Sequence, residues 1–305
     1  MANSGRITRA QAPRVLQLGL DRILEDIKDV YKGEGDKIFT SINTKKAYYE
    51  AMKMAGAGIA AVKGEGEAIT YDSRDQAWVY TLPIVTYEKS ARITMEAKED
   101  NLYEDQLNKI GRELMKAIDV SRDTIEANIF NDAFTSGVTY GDGAVLCATS
   151  HTLQAGGTNS NRLASDSDLS EETLENMKIL ADAMKNDDGI LGDYDTKALI
   201  VHPSNQFEAW RIIKSMGRVS TPDNDTNALR EMGIVKQLVV WRRLSDSDAF
   251  FVTTDCEDGL VLARRKNVTT SSFNDPYTYD TILTAHERYA VGVNKHQSVL
   301  GTPGA

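Results

Sequence analysis

The stretch "DNLYEDQLNKIGRELMKAIDVSRDTIEANIFNDAF", residues 100–134, decides how the rest of the chain is read. Tyr103, Leu107, Ile110, Leu114, Ile118, Ile125 and Ile129 recur at spacings of three, four or seven, with charged and polar residues between them. That is the periodicity of an amphipathic helix, and no proline interrupts it. A helix of about 30 residues runs ~45 Å. Such a rod is unusual in a compact domain and implies an extended molecule organised along it.

Upstream, "AGAGIAAVKGEGEAITYDSRDQAWVYTLPIVTYEKSARITMEA" divides in two. Gly56, Gly58, Gly64 and Gly66 make the first part turn-rich. Residues 77–85 and 91–97 read as β runs, the second alternating through Ala91, Ile93, Met95 and Ala97. Pro83 marks the first as an edge strand. The pair reads as a long projecting hairpin. Further back, Arg6, Arg9 and Arg14 precede a helical stripe of Leu16, Leu20, Ile23, Leu24, Ile27 and Val30. This predicts an arm ending in an amphipathic helix, free to pack on its own chain or on a neighbour.

Downstream, Asp168 or Ser170 caps a helix carrying Leu174, Met177, Leu180 or Ala181, and Met184. "ALIVHP" reads as a buried strand ended by Pro203, after which Ser204 caps a helix carrying Phe207, Trp210 and Ile213, closed by Gly217. A polar loop spans 218–227. β runs follow at 236–244, 249–254 and 260–264, then as a pair at 279–285 and 287–293, with His286 between them. The fold class is α+β.

The composition excludes several functions. A net charge of −10 and a pI near 5.0 do not suit a protein built to track phosphate backbones. Two cysteines, Cys147 and Cys256, offer neither a disulfide framework nor a four-thiolate zinc site. The longest apolar run, Met54 to Val62, is far short of the ~20 residues that span a membrane. No signal sequence stands at the N-terminus, so a cytosolic place of synthesis is expected.

The chemistry-bearing motifs weaken on inspection. "GAGIAA" matches a dinucleotide fingerprint in letters, but that mechanism needs a buried strand before it and a helix after it. "AYYEAMKM" reads as helical, and more glycines follow. Cys147 stands four residues before His151 in "LCATSHTLQAGGTNSNRL", the one arrangement that resembles a thiolate–imidazolium pair. Nothing marks an oxyanion hole, and a lone cysteine after "AVL" reads as packing. His151, His202, His286 and His296 are too far apart for a local metal pair, and Asp187, Asp188, Asp193 and Asp195 lack calcium-loop spacing. No catalytic residue, cofactor or metal is expected.

Five segments, in order, resemble one family. "KGEGEAITYDS" with "RITMEAKEDNLYE", "IEANIFNDAF", "YGDGAVLCATSHTLQAGGTNSNRL", "ALIVHPSNQFEAWRII" and "DTILTAHERYAVGVNKHQSVLGT" are similar to the major capsid proteins of tailed phages with the Hong Kong 97-type fold, particularly the Mu-like head-subunit group. The resemblance implies an N-terminal arm at 1–40, and an extended E-loop with its flanks at 41–98. A spine helix with the first part of a peripheral domain would occupy 99–164. An axial domain would follow at 165–265, and the second part of the peripheral domain at 266–305.

The implied function is a structural subunit, not an enzyme. Hexamers and pentamers would tile an icosahedral shell around double-stranded DNA, with assembly in the host bacterial cytoplasm and residence in the virion. Self-assembly contacts would fall on the E-loop, at Lys63, Glu65, Glu67, Tyr71, Asp72, Arg74 and Trp78, and on the arm, at Arg6, Arg9 and Arg14. Implied partners are further copies, a portal protein, possible decoration proteins and DNA held non-specifically, with no membrane. Only about 40 residues precede the E-loop, so scaffolding is expected from a separate protein. Lys63 and Lys89 complete no recognisable cross-linking motif, so association is expected to be non-covalent. Two alternatives remain: an encapsulin-like cellular compartment, and an enzyme centred on Cys147.

Overall fold

The computed structural model describes residues 33–54, 60, 62–68, 76–96, 104–217 and 226–305. The expected arm, with Arg6, Arg9 and Arg14, lies outside these, as do Tyr71, Asp72, Arg74 and most of the loop at 218–227. Within them no helix is long and apolar enough to cross a membrane.

The rod is present as helix α1, Glu104–Asn131, 28 residues long. Its apolar stripe changes partner along its length. Leu114, Met115 and Ile118 pack with Ile93, Leu283 and Ala285, while Ala127 and Phe130 enter a second, larger core.

Two four-stranded sheets flank that helix. The first orders β1 (Thr40–Asn43), β10 (Leu260–Asn274), β11 (Thr281–Val293) and β4 (Val85–Ile93). The second orders β12 (Val299–Thr302), β9 (Phe250–Thr254), β7 (Thr196–Val201) and β8 (Gln237–Val240). β7 explains why "ALIV" is apolar without a break. Leu199 and Val201 face a core shared with helices α2 (Glu171–Asp182), α3 (Gln206–Lys214) and α4 (Ala228–Glu231), while Ala198 and Ile200 face the core around Phe130 and Trp241. A strand covered on both faces needs no polar alternation. Ser170 caps α2 by accepting from the Thr173 N–H, and Leu174, Met177 and Ala181 turn inward as expected.

Several expectations are corrected. Residues 48–54, read as helical, form strand β2 (Tyr48–Met54), paired antiparallel with β3 (Gln76–Pro83). Ala, Glu, Met and Lys are good helix formers, but pairing with β3 overrides that weak preference, and exposure alternates along 48–52. The two runs thought to form one hairpin therefore do not pair with each other: β3 takes β2, and β4 takes β11. The fingerprint thus does follow a strand, but residues 60 and 62–68 form no helix after it, so the motif still fails.

The runs at 279–285 and 287–293 are one strand, with His286 in mid-strand opposite Glu88 and Thr269. β10 extends past residue 264 to Asn274 through irregularities near Lys266. Ser204 does not cap α3. It lies in a 3-10 turn, Pro203–Asn205, whose N–H at Ser204 donates to the His202 ring at 3.2 Å.

Charged side chains stitch α1 to both sheets. Asp123 accepts from Trp241 Nε1 at 3.1 Å, Arg243 Nε at 2.8 Å and the Glu34 N–H at 3.1 Å. Glu126, beside it, is almost wholly buried beneath Gly35, where an added Cβ would lie 1.8 Å from Oε2. Its Oε1 has no hydrogen-bond partner among the described residues. Burial pushes this carboxyl up to about 8, against the opposing charge of Arg122. The folded chain then holds a proton that the unfolded chain releases near 4.5. This stabilisation is complete below that value and is lost as pH rises through about 8. Glu126→Gln should match the parent in urea unfolding at pH 4.5 and exceed it at pH 9. Parallel profiles at the two pH values would contradict this assignment.

Candidate self-assembly surface

The glycine-rich loop closes on its own backbone. The Glu67 N–H donates to the Gly64 carbonyl at 3.2 Å, and the Gly64 N–H donates to the Glu67 carboxylate at 3.0 Å. Gly66, at φ 82°, takes the left-handed conformation that such a turn requires. Val62, Lys63, Glu65 and Glu67 are all exposed, and Lys63 and Glu65 form no hydrogen bond or ion pair with a described residue. The turn is therefore shaped from within and presents its side chains outward.

Trp78 behaves differently from the loop. It is half-buried, its ring lies against Gly141, where an added Cβ would come within 2.1 Å, and it meets Tyr80 edge-on at 6.5 Å. Tyr80 in turn meets Tyr140 at 6.5 Å. Trp78 thus anchors the β2–β3 ribbon to the loop after α1. Tyr48, Met52 and Val79 on that ribbon stay exposed.

Sequence reasoning missed two further apolar surfaces. On α3 the inward residues are Ala209, Ile212 and Ile213, which leaves Phe207 and Trp210 68% and 57% exposed. The stripe Phe207–Trp210–Ile213 and the stripe Ala209–Ile212–Ile213 both satisfy helical spacing, and only the packing chooses between them. Met216 and Met232 are exposed as well. The second surface is the tip of the β10–β11 hairpin, where Phe273, Tyr277 and Tyr279 face outward. Arg92 holds this tip by donating to Asp280 at 2.6 Å and Asp275 at 3.2 Å.

The thiol and imidazole singled out in the sequence do not form a catalytic pair. Cys147 is fully buried, its Sγ against Gly301, and burial pushes the thiol up, away from the reactive thiolate. His151 is held by Asp142 and Asn161 instead. The fold also stacks His151 on His296, a meeting that linear spacing did not reveal.

Residues 79–300 match the family model described as phage capsid protein. The chain belongs to that family. It is a structural capsid protein, not an enzyme. No curated protein matches the sequence. Among solved structures, the virus-like particle from Pyrococcus furiosus aligns at 12% identity over 93% of this chain and 97% of its own, with a TM-score of 0.56. The capsid of cyanophage P-SCSP1u aligns at 10% identity over 88% and 86%, also at 0.56. The procapsid of bacteriophage JBD30 aligns at 13% over 97% and 76%, at 0.51. At such identities the likeness is one of fold, and the capsid protein has the Hong Kong 97-type fold.

Proposed function

We propose that copies of this capsid protein associate non-covalently as hexamers and pentamers into an icosahedral shell around double-stranded DNA. The observation that carries this is the set of outward apolar and loop surfaces on a chain of the capsid family: the 62–68 turn, the β2–β3 ribbon, Phe207 with Trp210, and the aromatic tip at 273–279. Exposed apolar surfaces on separate elements mark interaction sites. Many modest interfaces add through multivalency, so each stays weak enough to correct during assembly.

In this reading Lys63, Glu65 and Glu67 lie across a neighbouring subunit as the E-loop, together with Tyr71, Asp72, Arg74 and Trp78. Arg6, Arg9 and Arg14 reach further copies. The same reading carries over the division into arm, E-loop, spine, peripheral and axial parts at the boundaries that the resemblance implies. A portal protein, a separate scaffolding protein and decoration proteins are the proposed partners. The shell would form in the host bacterial cytoplasm and be carried in the virion.

Electron microscopy of the purified chain tests the proposal directly. Shells, tubes or capsomers are expected, and discrete monomers under every condition would overturn it. Replacing residues 62–68 with a Gly-Ser linker of equal length should leave the subunit's melting temperature unchanged. The yield of closed shells should fall ~10-fold or more, because a weakened contact is repeated around the shell. Normal shells from that variant would remove the loop from the assembly surface. A cellular compartment of the same fold is the second reading, kept because one similar structure, from Pyrococcus furiosus, is described as a virus-like particle. Shells produced in the native host that enclose protein cargo and no DNA would select it.

A further inference from the structure

A cleft of about 490 Å3 opens between the β2–β3 ribbon, the loop after α2, the turn between β9 and β10, and the segment after β11. Those parts are far apart in the chain, so no local spacing announces it. Asp187 and Asp188, which lack calcium-loop spacing in the sequence, line it. With Glu50 and Asp258 they set four carboxylates against the ammonium of Lys295 among the described lining residues. Lys295 itself donates to the Glu257 carbonyl at 2.9 Å.

Two amides of the same lining lack donors. Asn294 Nδ2 donates to the Tyr49 hydroxyl and to the Asp258 carbonyl, each at 3.0 Å. A carbonyl can only accept, so the orientation of this amide is fixed. Gln297 Nε2 donates to the Lys185 carbonyl at 3.4 Å, which orients the second amide in the same way. Asn294 is 7% exposed and Gln297 1%. Their oxygens, Asn294 Oδ1 and Gln297 Oε1, are buried and meet no hydrogen-bond donor among the described residues. Buried acceptors are nearly always satisfied, so two orphans in the lining of one cleft mark a place for donors that the chain does not supply.

The cleft thus offers acceptors, and its matching ligand is rich in donors. An alkylammonium group carries three donors and no acceptor, and keeps its charge up to about pH 10. A bare divalent ion matches less well. It draws about six or more oxygens to ~2.0–2.6 Å. Among the described residues, no three carboxylates of the cleft bring oxygens within 4.8 Å of one another. The negative charge is spread along the cleft, whose volume lies in the ~300–1,000 Å3 range of small-molecule pockets. A peptide backbone would bring a carbonyl with nearly every N–H, whereas a polyamine brings none. Tyr49, Trp78 and Tyr194 add aromatic wall, against which methylene chains pack and cations are attracted.

We propose that this cleft binds a linear aliphatic polyamine, its ammonium groups taken up by the two amide oxygens and the surrounding carboxylates. The site lies within one subunit and goes beyond the shell reading, so its test does not depend on whether shells form.

Isothermal titration of the full chain with spermidine tests this, in about 0.15 M salt, where exposed charges beyond ~8 Å are screened. One spermidine should bind per chain, with a dissociation constant below ~1 mM. Glu50→Gln together with Asp258→Asn should weaken binding about 5-fold or more. Asparagine tolerates the left-handed backbone of Asp258, φ 53°, so the melting temperature should hold. Glu113→Gln with Glu172→Gln removes the same charge at exposed positions outside the cleft and should change the affinity less than about 2-fold. No saturable binding, equal weakening by the two pairs, or magnesium displacing spermidine at equal charge would each overturn the proposal. So would a peptide of residues 4–16, which carries Arg6, Arg9 and Arg14, competing at equal or lower concentration, because the cation would then come from another copy of this chain.

Discussion

Asn161→Ala should cost the subunit about 4 kcal/mol or more, a large share of the 5–15 kcal/mol typical of a folded domain. Asn161 is completely buried. One amide there serves the Ala148 N–H, His151 Nε2 and the carbonyls of Leu146, His296 and Val299. Each buried polar group left without a partner costs roughly 1–3 kcal/mol, and alanine strands several together. Leucine fills the space but satisfies none of them, so Asn161→Leu should be no better. Chemical denaturation with an unchanged m-value measures the loss. Hydrogen exchange at residues 146–148 and 296–299 should quicken first, because this one side chain hydrogen-bonds to both segments. A loss below about 1 kcal/mol would show that water or backbone shifts replace the amide.

Arg122→Met should destabilise by about 3–5 kcal/mol. Arg122 donates to Glu287 at 3.1 and 3.3 Å and to Asp119 at 2.9 Å, and Glu287 is 1% exposed. Burial works against the guanidinium, but the two carboxylates outweigh it and hold Arg122 above its ordinary value. Removing the arginine leaves Glu287 buried with, among the described residues, Arg264 as its remaining ion-pair partner, at 4.0 Å. The double variant Arg122→Met, Glu287→Met should recover much of the loss, since the cost lies in the stranded charge rather than in an intrinsically strong pair. Equal losses from the single and double variants would refute that account.

These two residues differ in how visible they are in the sequence. Arg122 stands on a helix whose periodicity is plain, although the spacing alone marks it as a solvated position. The true inward face toward the C-terminal end of α1 includes Arg122, Asp123 and Glu126, three charged residues that hydrophobic patterning assigns outward. They are tolerated inside because Glu287, Arg243, Trp241 and Gly35 meet them there. Asn161 is less visible still. It sits in "GGTNSNRL", where an asparagine reads as a turn residue, and its partners His296 and Val299 lie 135 and 138 positions away.

The sequence by itself determined the long helix, a capped helix start at Asp168 or Ser170, a buried strand in "ALIVHP" and the preference for packing over catalysis at Cys147. Each depends on local periodicity, capping chemistry or side-chain character, which act within a few residues. Only the tertiary structure decided that residues 48–54 are a strand, that β4 pairs with β11, and which face of α3 turns inward. It alone placed His151 on His296 and made Asn161 the junction of two distant segments. Those outcomes depend on which strand or carbonyl arrives from elsewhere in the chain. A weak local preference, such as helix for "AYYEAMKM", yields once a whole ladder of hydrogen bonds with β3 is on offer.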